Sequence, residues 1–261
     1  MLVGVGKDYC VVKHMGYGLY LYGIFPAPGP EGLHIQGLDQ QPVQTHLVDG
    51  FAFLYSQAQQ ERYLASRRNL LGHEKVLEQA MQEGYRTLLP LQFGLIIEDW
   101  GTVAQQLLIP QGQGLWQLFN KLEGRREVGV KVFWDANAEL QALIAENQDL
   151  RTERDSLEGA ALSMDQVVGI GQAIEKGMQD RQQGVIRAFQ AALNSLAIAV
   201  VENDPLTDAM IYNAAYLIPW DEEPNFSSQV EQLDQKFEDR LRIRYNNFTA
   251  PYNFAQLDQL D

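Results

Sequence analysis

The sequence predicts an α+β protein of two domains. At 261 residues the chain is longer than a common single domain, so two domains are expected. Its first half runs strand, hairpin, helix, strand, helix, an order compatible with a ferredoxin-like antiparallel sheet covered by helices. Its second half places a long helical segment between strands. We expect an N-terminal domain over residues 1–124 and a C-terminal α+β domain over residues 125–261.

The first strands of the N-terminal domain have strong local signals. Gly18–Phe25 is aromatic and aliphatic throughout, which is typical of a buried strand. Asp49–Gly50 lies between the apolar segments Val43–Val48 and Phe51–Tyr55. This pair favours the two-residue turn of a β-hairpin.

Helices and one further strand complete this domain. Asn69 is the predicted cap of a helix that ends at Gly84. Arg86–Phe93 follows as a buried strand, and Pro90 within it favours a sheet edge or a bulge because proline cannot donate a backbone hydrogen bond. We then expect a helix over Asp99–Leu108, which Pro110 ends, and a third short helix after it.

The C-terminal domain is predicted as strand, helical arm, strand, helix, strand. These elements are Glu127–Trp134, Ala136–Val201, Ala209–Trp220, Glu223–Leu241 and Arg242–Phe248. The arm carries a heptad-like leucine stripe, but Asn147 and Arg154 occupy positions of core type. Because strands flank the arm, its ends must return close together, and we predict an antiparallel helical hairpin within one chain.

Composition excludes some classes of function. The net charge of −14 disfavours unaided nucleic-acid binding and binding to anionic membranes. A lone Cys10 fits a reducing compartment, and we expect neither a signal peptide nor a membrane-spanning segment. The four histidines are scattered without ligand spacing, so no metal ion or other cofactor is expected.

Individual residues leave some alternatives open. His73 could act as a general base, but a hydrogen-bonding or packing role at its helix is favoured. Gly169 and Gly171 resemble the start of a dinucleotide fingerprint. They lie, with Gly177 and Gly184, inside a helical pattern, where close helix approach or local flexibility is the better account. Tyr252 and Phe254 are predicted to clasp one domain, with partner docking as the alternative.

Five segments, in the expected order, resemble the gas vesicle GvpL/GvpF family. They are Tyr20–Ile24, Asn69–Glu78, Leu89–Gly94, Glu127–Asp135 and Asn213–Ile218. The family commonly ends in a segment like Gly-Pro-Trp-Pro-Pro-Tyr-Ser-Phe. The corresponding stretch here keeps a proline, the tyrosine and the phenylalanine but lacks the tryptophan and a second proline. Within the family, the short loops are most similar to the GvpF-type branch of cyanobacteria.

This resemblance implies a non-enzymatic protein needed for gas vesicle formation. It implies binding to the small hydrophobic main shell protein and to other accessory vesicle proteins, during nucleation and assembly or as a minor component of the wall. It also implies a location in the cytoplasm and on the vesicle, including the gas-facing side of the wall. The candidate partner-binding residues are Pro90, Phe93, Tyr216, Tyr252 and Phe254.

Two rival functions remain at this point. A general coiled-coil scaffold would dimerise through the arm, and an enzyme would need a pocket with convergent polar groups on the first domain. For the favoured function, open sheet edges and the arm could cover apolar surface of a shell subunit until it joins the wall.

Overall fold

The computed structural model describes residues 17–148, 151–152 and 164–256. The chain divides into two compact units, residues 1–115 and 116–261. Each unit contains an antiparallel β-sheet and helices, so the α+β fold class is confirmed. None of the helices in these described ranges is both long enough and apolar enough to cross a lipid bilayer.

The N-terminal sheet has the strand order of a ferredoxin-like fold. The order is β2-β3-β1-β4, all pairs are antiparallel, and β5 pairs with β1 beside β4. The connection from β1 to β2 is a loop with one 3-10 turn, where a ferredoxin-like fold usually has a helix. The strands are β1 (Leu19–Pro26), β2 (Gln44–Val48), β3 (Phe51–Gln57), β4 (Leu89–Pro90) and β5 (Ile96–Ile97).

The predicted hairpin is present between β2 and β3. Asp49 and Gly50 both have positive φ, at 47° and 84°. This is the backbone of a type I′ turn, whose twist matches that of the flanking strands. Glycine and aspartate tolerate this conformation better than most residues, which explains why the local sequence signal was reliable.

The first helix, α1 (Arg67–Gln82), packs its apolar face on the sheet. Its cap is Ser66, whose side chain accepts a hydrogen bond from the Asn69 backbone N–H. The prediction of Asn69 as the cap was therefore wrong, and the Asn69 side chain instead donates to the Leu64 carbonyl. The buried residues of α1 are His73, Val76, Leu77, Ala80 and Met81.

Two predictions near Pro90 and Pro110 need correction. Of the strand predicted over Arg86–Phe93, only the two residues of β4 form a strand. The two-residue strand β5 follows it and was not predicted; Gly94, with a φ of +90°, turns the chain between them. The helix predicted to stop at Pro110 continues: α2 (Trp100–Val103) passes through a π-helical stretch into α3 (Ile109–Leu122). Pro110 closely follows the π-helical stretch, so the missing backbone N–H of the proline falls where the helical hydrogen-bond pattern changes.

The C-terminal unit repeats the strand order of the N-terminal unit. Its order is β7-β8-β6-β9, again with every pair antiparallel. Here helices make both crossover connections, α4 and α5 after the first strand and α6 after the third. The elements are β6 (Arg125–Trp134), α4 (Ala136–Glu146), α5 (Met164–Leu193), β7 (Ala199–Glu202), β8 (Met210–Pro219), α6 (Glu223–Phe237) and β9 (Leu241–Thr249).

One face of this sheet forms a core with α5 and α6. Phe189 of α5 and Tyr216 of β8 are fully buried, and Phe226 of α6 is nearly so. Burying a side chain of this size contributes about 1.5–3 kcal/mol to folding. The rest of the core consists mainly of Val128, Val130, Val132, Val185, Leu193, Tyr212, Val230 and Leu233.

The arm is an antiparallel helical hairpin in its described part. Glu139 of α4 pairs with Arg181 of α5, and Leu143 lies against Gly177, so the residue numbers run in opposite directions. The prediction extended the arm to Val201, but α5 ends at Leu193. The β-branched pair Val200–Val201 instead pairs with β8 as part of β7. Asn147 leaves helical geometry, and the predicted stripe positions from residue 153 to 163 lie outside the described residues.

Candidate interaction surfaces

The edge loop that contains Phe93 is anchored by a buried chain of hydrogen bonds. His73 Nε2 lies 3.1 Å from the Leu91 carbonyl oxygen and must donate to it, so Nδ1 is the acceptor. Tyr20 therefore donates its hydroxyl proton to Nδ1 at 2.9 Å, and its oxygen accepts from the Gly94 backbone N–H at 3.0 Å. The chain thus begins and ends on the same loop and fixes its shape.

Burial keeps this chain neutral. Desolvation lowers the pKa of His73 from 6.5 to about 4, with the hydrogen bond to Leu91 opposing the shift. Desolvation also raises the pKa of Tyr20. At neutral pH His73 is thus an uncharged hydrogen-bonding and packing residue, the role that the sequence favoured for it.

Exposed apolar side chains surround this anchor. We call Leu64, Leu70, Leu71, Phe93 and Leu95 the leucine surface. Its four leucines expose between 39 and 75% of their area, and Phe93 is half-buried against His73 with ring centroids 5.9 Å apart. Leu64 follows the buried Tyr63, whose ring contacts Tyr20. Apolar residues exposed together in one region are typical of a protein-binding surface.

The two edges of the N-terminal sheet differ in how open they are. Pro90 lies on the edge formed by β4 and β5, which is broken into two short pieces and so is a poor template for strand addition. β2 at the opposite edge is continuous. A groove of about 490 Å³ runs beside it, lined by residues that include Pro30, Leu33 and Leu47.

Tyr216 has a core role. It is fully buried, and its hydroxyl lies 2.8 Å from that of Tyr212, which also donates to Glu202. Burial raises the pKa of Tyr216 to about 12. Because it is buried, its side chain offers no surface to a partner in this structure. The sequence could not show this, since an apolar strand at the centre of a sheet has the same pattern as one that faces a partner.

Tyr252 and Phe254 belong to a clasp at the start of β6. Phe254 is buried, and Tyr252 is half-buried. The Lys121 ammonium lies 5.6 Å from the Phe254 ring centre and donates to the Phe254 carbonyl. Between the two aromatic residues, Asn253 donates its backbone N–H and its side-chain N–H to the two carboxylate oxygens of Glu127. The clasp interpretation of this segment therefore fits the contacts.

Glu127 is a buried residue that the sequence did not single out. Burial raises its pKa to about 7, with the Asn253 hydrogen bonds opposing the shift. The sequence offered one signal for the position of Glu127, the alternation of residues along β6. Val128 and Val130 face the core, so residue 127 faces the other side of the sheet. Nothing local in the sequence indicates that the chain returns 126 residues later to cover it.

A second unpredicted cluster holds the base of the helical hairpin. The Glu139 carboxylate is buried and accepts from Arg181 of α5 and from both Nε and Nη2 of Arg240, just before β9. These arginines hold the pKa of Glu139 below its usual value against the opposing effect of burial. Arg240 is 101 residues away in sequence, so no spacing rule could have paired it with Glu139.

Within residues 17–148, 151–152 and 164–256, no three His, Cys, Asp or Glu side chains lie close enough to hold a metal ion. Burial shifts the pKa of His73 to about 4 and that of Glu127 to about 7, but the two residues lie in different units and are each enclosed by their own partners.

Comparisons with known proteins agree with the sequence resemblance. The family described as "Gas vesicle synthesis protein GvpL/GvpF" matches residues 18–256. Gas vesicle protein F of Nostoc sp. is 60% identical over 93% of this chain and 100% of its own length.

Solved structures support the same conclusion. The crystal structure of the gas vesicle protein GvpF from Anabaena sp. has a TM-score of 0.86 and 60% identity, covering 93% of this chain and 99% of that one. The crystal structure of GvpF from Microcystis aeruginosa has a TM-score of 0.81 and 56% identity, covering 92% of this chain and 100% of that one. With sequence and fold in agreement over nearly its whole length, the chain belongs to the gas vesicle GvpL/GvpF family.

Proposed function

We propose that the chain is a non-enzymatic protein of gas vesicle formation that binds the main shell protein during nucleation and assembly. Family membership supports a role with gas vesicles. The leucine surface is the observation that carries the binding step. A small hydrophobic shell subunit must keep apolar surface away from water until it joins the wall, and an exposed apolar surface on an acidic, soluble carrier can cover it.

Anchoring makes this surface suited to binding. The Tyr20–His73 chain fixes the loop that carries Phe93 and Leu95, so little conformational entropy is lost when a partner packs against it. The net charge of −14 would keep the complex dispersed. The β2 edge and its groove lie in the same unit and could add main-chain hydrogen bonds to an extended segment of the shell protein.

Pull-down of purified shell protein tests the proposal. Full-length protein should retain the shell protein, and the L70S/L71S variant should lose about tenfold or more in affinity, because each exposed leucine removed from an interface costs roughly 1 kcal/mol. The matched control is I198S/L206S, which removes two similarly exposed apolar side chains from the C-terminal unit. Equal retention by both variants would show that the leucine surface does not bind the shell protein.

Binding to other accessory proteins and residence in the vesicle wall are part of the same proposal. In the cytoplasm the protein would act as a carrier, and in the wall the leucine surface would pack against assembled shell subunits. A coiled-coil scaffold is the rival function. It predicts a dimer through the arm in sedimentation analysis, whereas Leu143 and Glu139 already use the inner face of α4 within one chain.

A further inference from the structure

The sheet face opposite the helices carries, where β6 pairs with β9, a cluster of cations beside an aromatic ring. Val130, Val132, Ile243 and Tyr245 point to the helix-covered core, so the alternate residues Lys131, Phe133, Arg242 and Arg244 point to the other face. The register places Phe133 opposite Arg242 and Lys131 opposite Arg244. The guanidinium carbons of Arg242 and Arg244 lie 4.7 and 5.1 Å from the centre of the Phe133 ring.

These two arginines have no carboxylate partner in the described part of the chain. Asp135 and Asp239 line the groove next to Arg242, but neither forms an ion pair with it. In contrast, Arg181 and Arg240 of the same unit are both paired with Glu139. The protein has 34 acidic and only 20 basic residues, so two exposed arginines held against one aromatic ring form a local cationic patch on an acidic chain.

The strand that carries them ends the sheet. β9 follows β6 at the end of the strand order and pairs with no other strand in the described ranges. Its outer backbone groups can therefore accept a further strand. A strand added there would present alternate side chains on the same face as Arg242 and Arg244, with the roughly 7 Å spacing that separates every second residue of a strand.

We propose that β9, with Arg242 and Arg244, binds an extended acidic segment of a partner protein with carboxylates at every second residue. Phe133 holds both guanidiniums by cation–π contact and so limits the side-chain entropy lost when carboxylates bind. A polyanion such as nucleic acid or an anionic bilayer is disfavoured, because its extended charge meets the repulsion of the whole acidic protein. A short acidic strand interacts chiefly with the cations next to it, because salt screens the more distant charges of the protein.

This surface is independent of the shell-binding proposal, which rests on the N-terminal unit. A short fluorescent peptide with Glu alternating with Val and Thr is the probe, measured by anisotropy on the full-length protein. The R242Q/R244Q variant should bind it about tenfold or more weakly, since charge-assisted bidentate pairs are the strong ones. The matched control R67Q/R68Q removes the same charge from exposed positions of α1 and should bind as the unmodified protein does.

Three further results test whether β9 binds an acidic strand. A peptide with Gln in place of every Glu should not bind, and affinity for the acidic peptide should fall as salt is added. Unchanged melting temperatures of both variants confirm that folding is intact, as expected for exposed side chains. The proposal is overturned if R242Q/R244Q binds like the control, or if single-stranded RNA or phosphatidylglycerol vesicles displace the peptide at equal charge concentration.

Discussion

At the scale of single residues, two buried ionisable groups make the stability of the protein depend on pH in opposite directions. His73 has its pKa lowered to about 4, and Glu127 has its pKa raised to about 7, in each case mainly by burial. Both are therefore favoured in their uncharged forms. Each fixes a segment distant in sequence: His73 the loop Leu91–Gly94, and Glu127 the residue Asn253 of the tail.

The His73 shift gives a dependence of stability on pH. Between pH 6.5 and pH 4 the unfolded chain binds a proton at His73 that the folded chain does not. Stability from this residue is thus fully present above pH 6.5 and is lost as the pH falls to about 4. The loss is about 3 kcal/mol, from a shift between 6.5 and about 4.

Denaturant unfolding of the unmodified protein and of H73Q at pH 7 and pH 4 measures this loss. The unmodified protein should lose about 3 kcal/mol more than H73Q does, because the glutamine does not titrate. Glu127 contributes equally to both curves and cancels in the difference. Parallel losses in the two proteins would show that His73 is not a buried neutral group.

At the scale of elements, local rules predicted the parts that local residues determine. The Asp49–Gly50 turn and the strands β6 and β8 were predicted because turn chemistry and apolar alternation are set within a few residues. The short strand β7 was absorbed into the arm, since four residues with Val200–Val201 continue the helical apolar pattern. Only pairing with β8 makes them a strand.

The candidate interaction residues occupy two kinds of position in the structure. Pro90 lies at a sheet edge and Phe93 belongs to the leucine surface, whereas Tyr216 and Phe254 are buried. An aromatic residue in an apolar strand looks the same in sequence whether it faces a partner or the core. The sequence likewise cannot show whether a carboxylate comes close to the arginines of β9.

The close approach of α4 and α5 in the arm gives a prediction at the scale of elements. A β-carbon at Gly177 would lie 2.8 Å from Leu143 Cδ2, whereas one at Gly184 would have no neighbour within 4 Å. G184A should stabilise the protein by about 1 kcal/mol through helix propensity. G177A should lose that gain or destabilise, since overpacking costs roughly 1–3 kcal/mol.

Thermal unfolding followed by circular dichroism compares the two glycine variants. The double variant G177A/L143A supplies the control, because removing the leucine side chain frees the space. It should be less destabilised than the sum of the single changes. A G177A protein as stable as G184A would mean that α4 and α5 do not approach closely at this point.

At the scale of the whole molecule, two units share one strand order. In both units the strands lie across an antiparallel sheet in the order second, third, first, fourth. This order is β2-β3-β1-β4 in the N-terminal unit and β7-β8-β6-β9 in the C-terminal unit. The units differ in the first crossover, which is a loop in one and a helical hairpin in the other. No internal repeat is visible in the sequence, because equal topology requires only equal patterns of burial, not equal residues.

Family membership over residues 18–256 makes a role in gas vesicles the central claim about the whole protein. The measurement that tests it most directly is the collapse of turbidity under pressure in vesicle-forming cells that lack this gene. We expect no pressure-sensitive turbidity in the deletion strain, full recovery with the unmodified gene and with I198S/L206S, and strongly reduced recovery with L70S/L71S at equal protein level. Normal vesicle content in the deletion strain would contradict the proposed requirement for this protein.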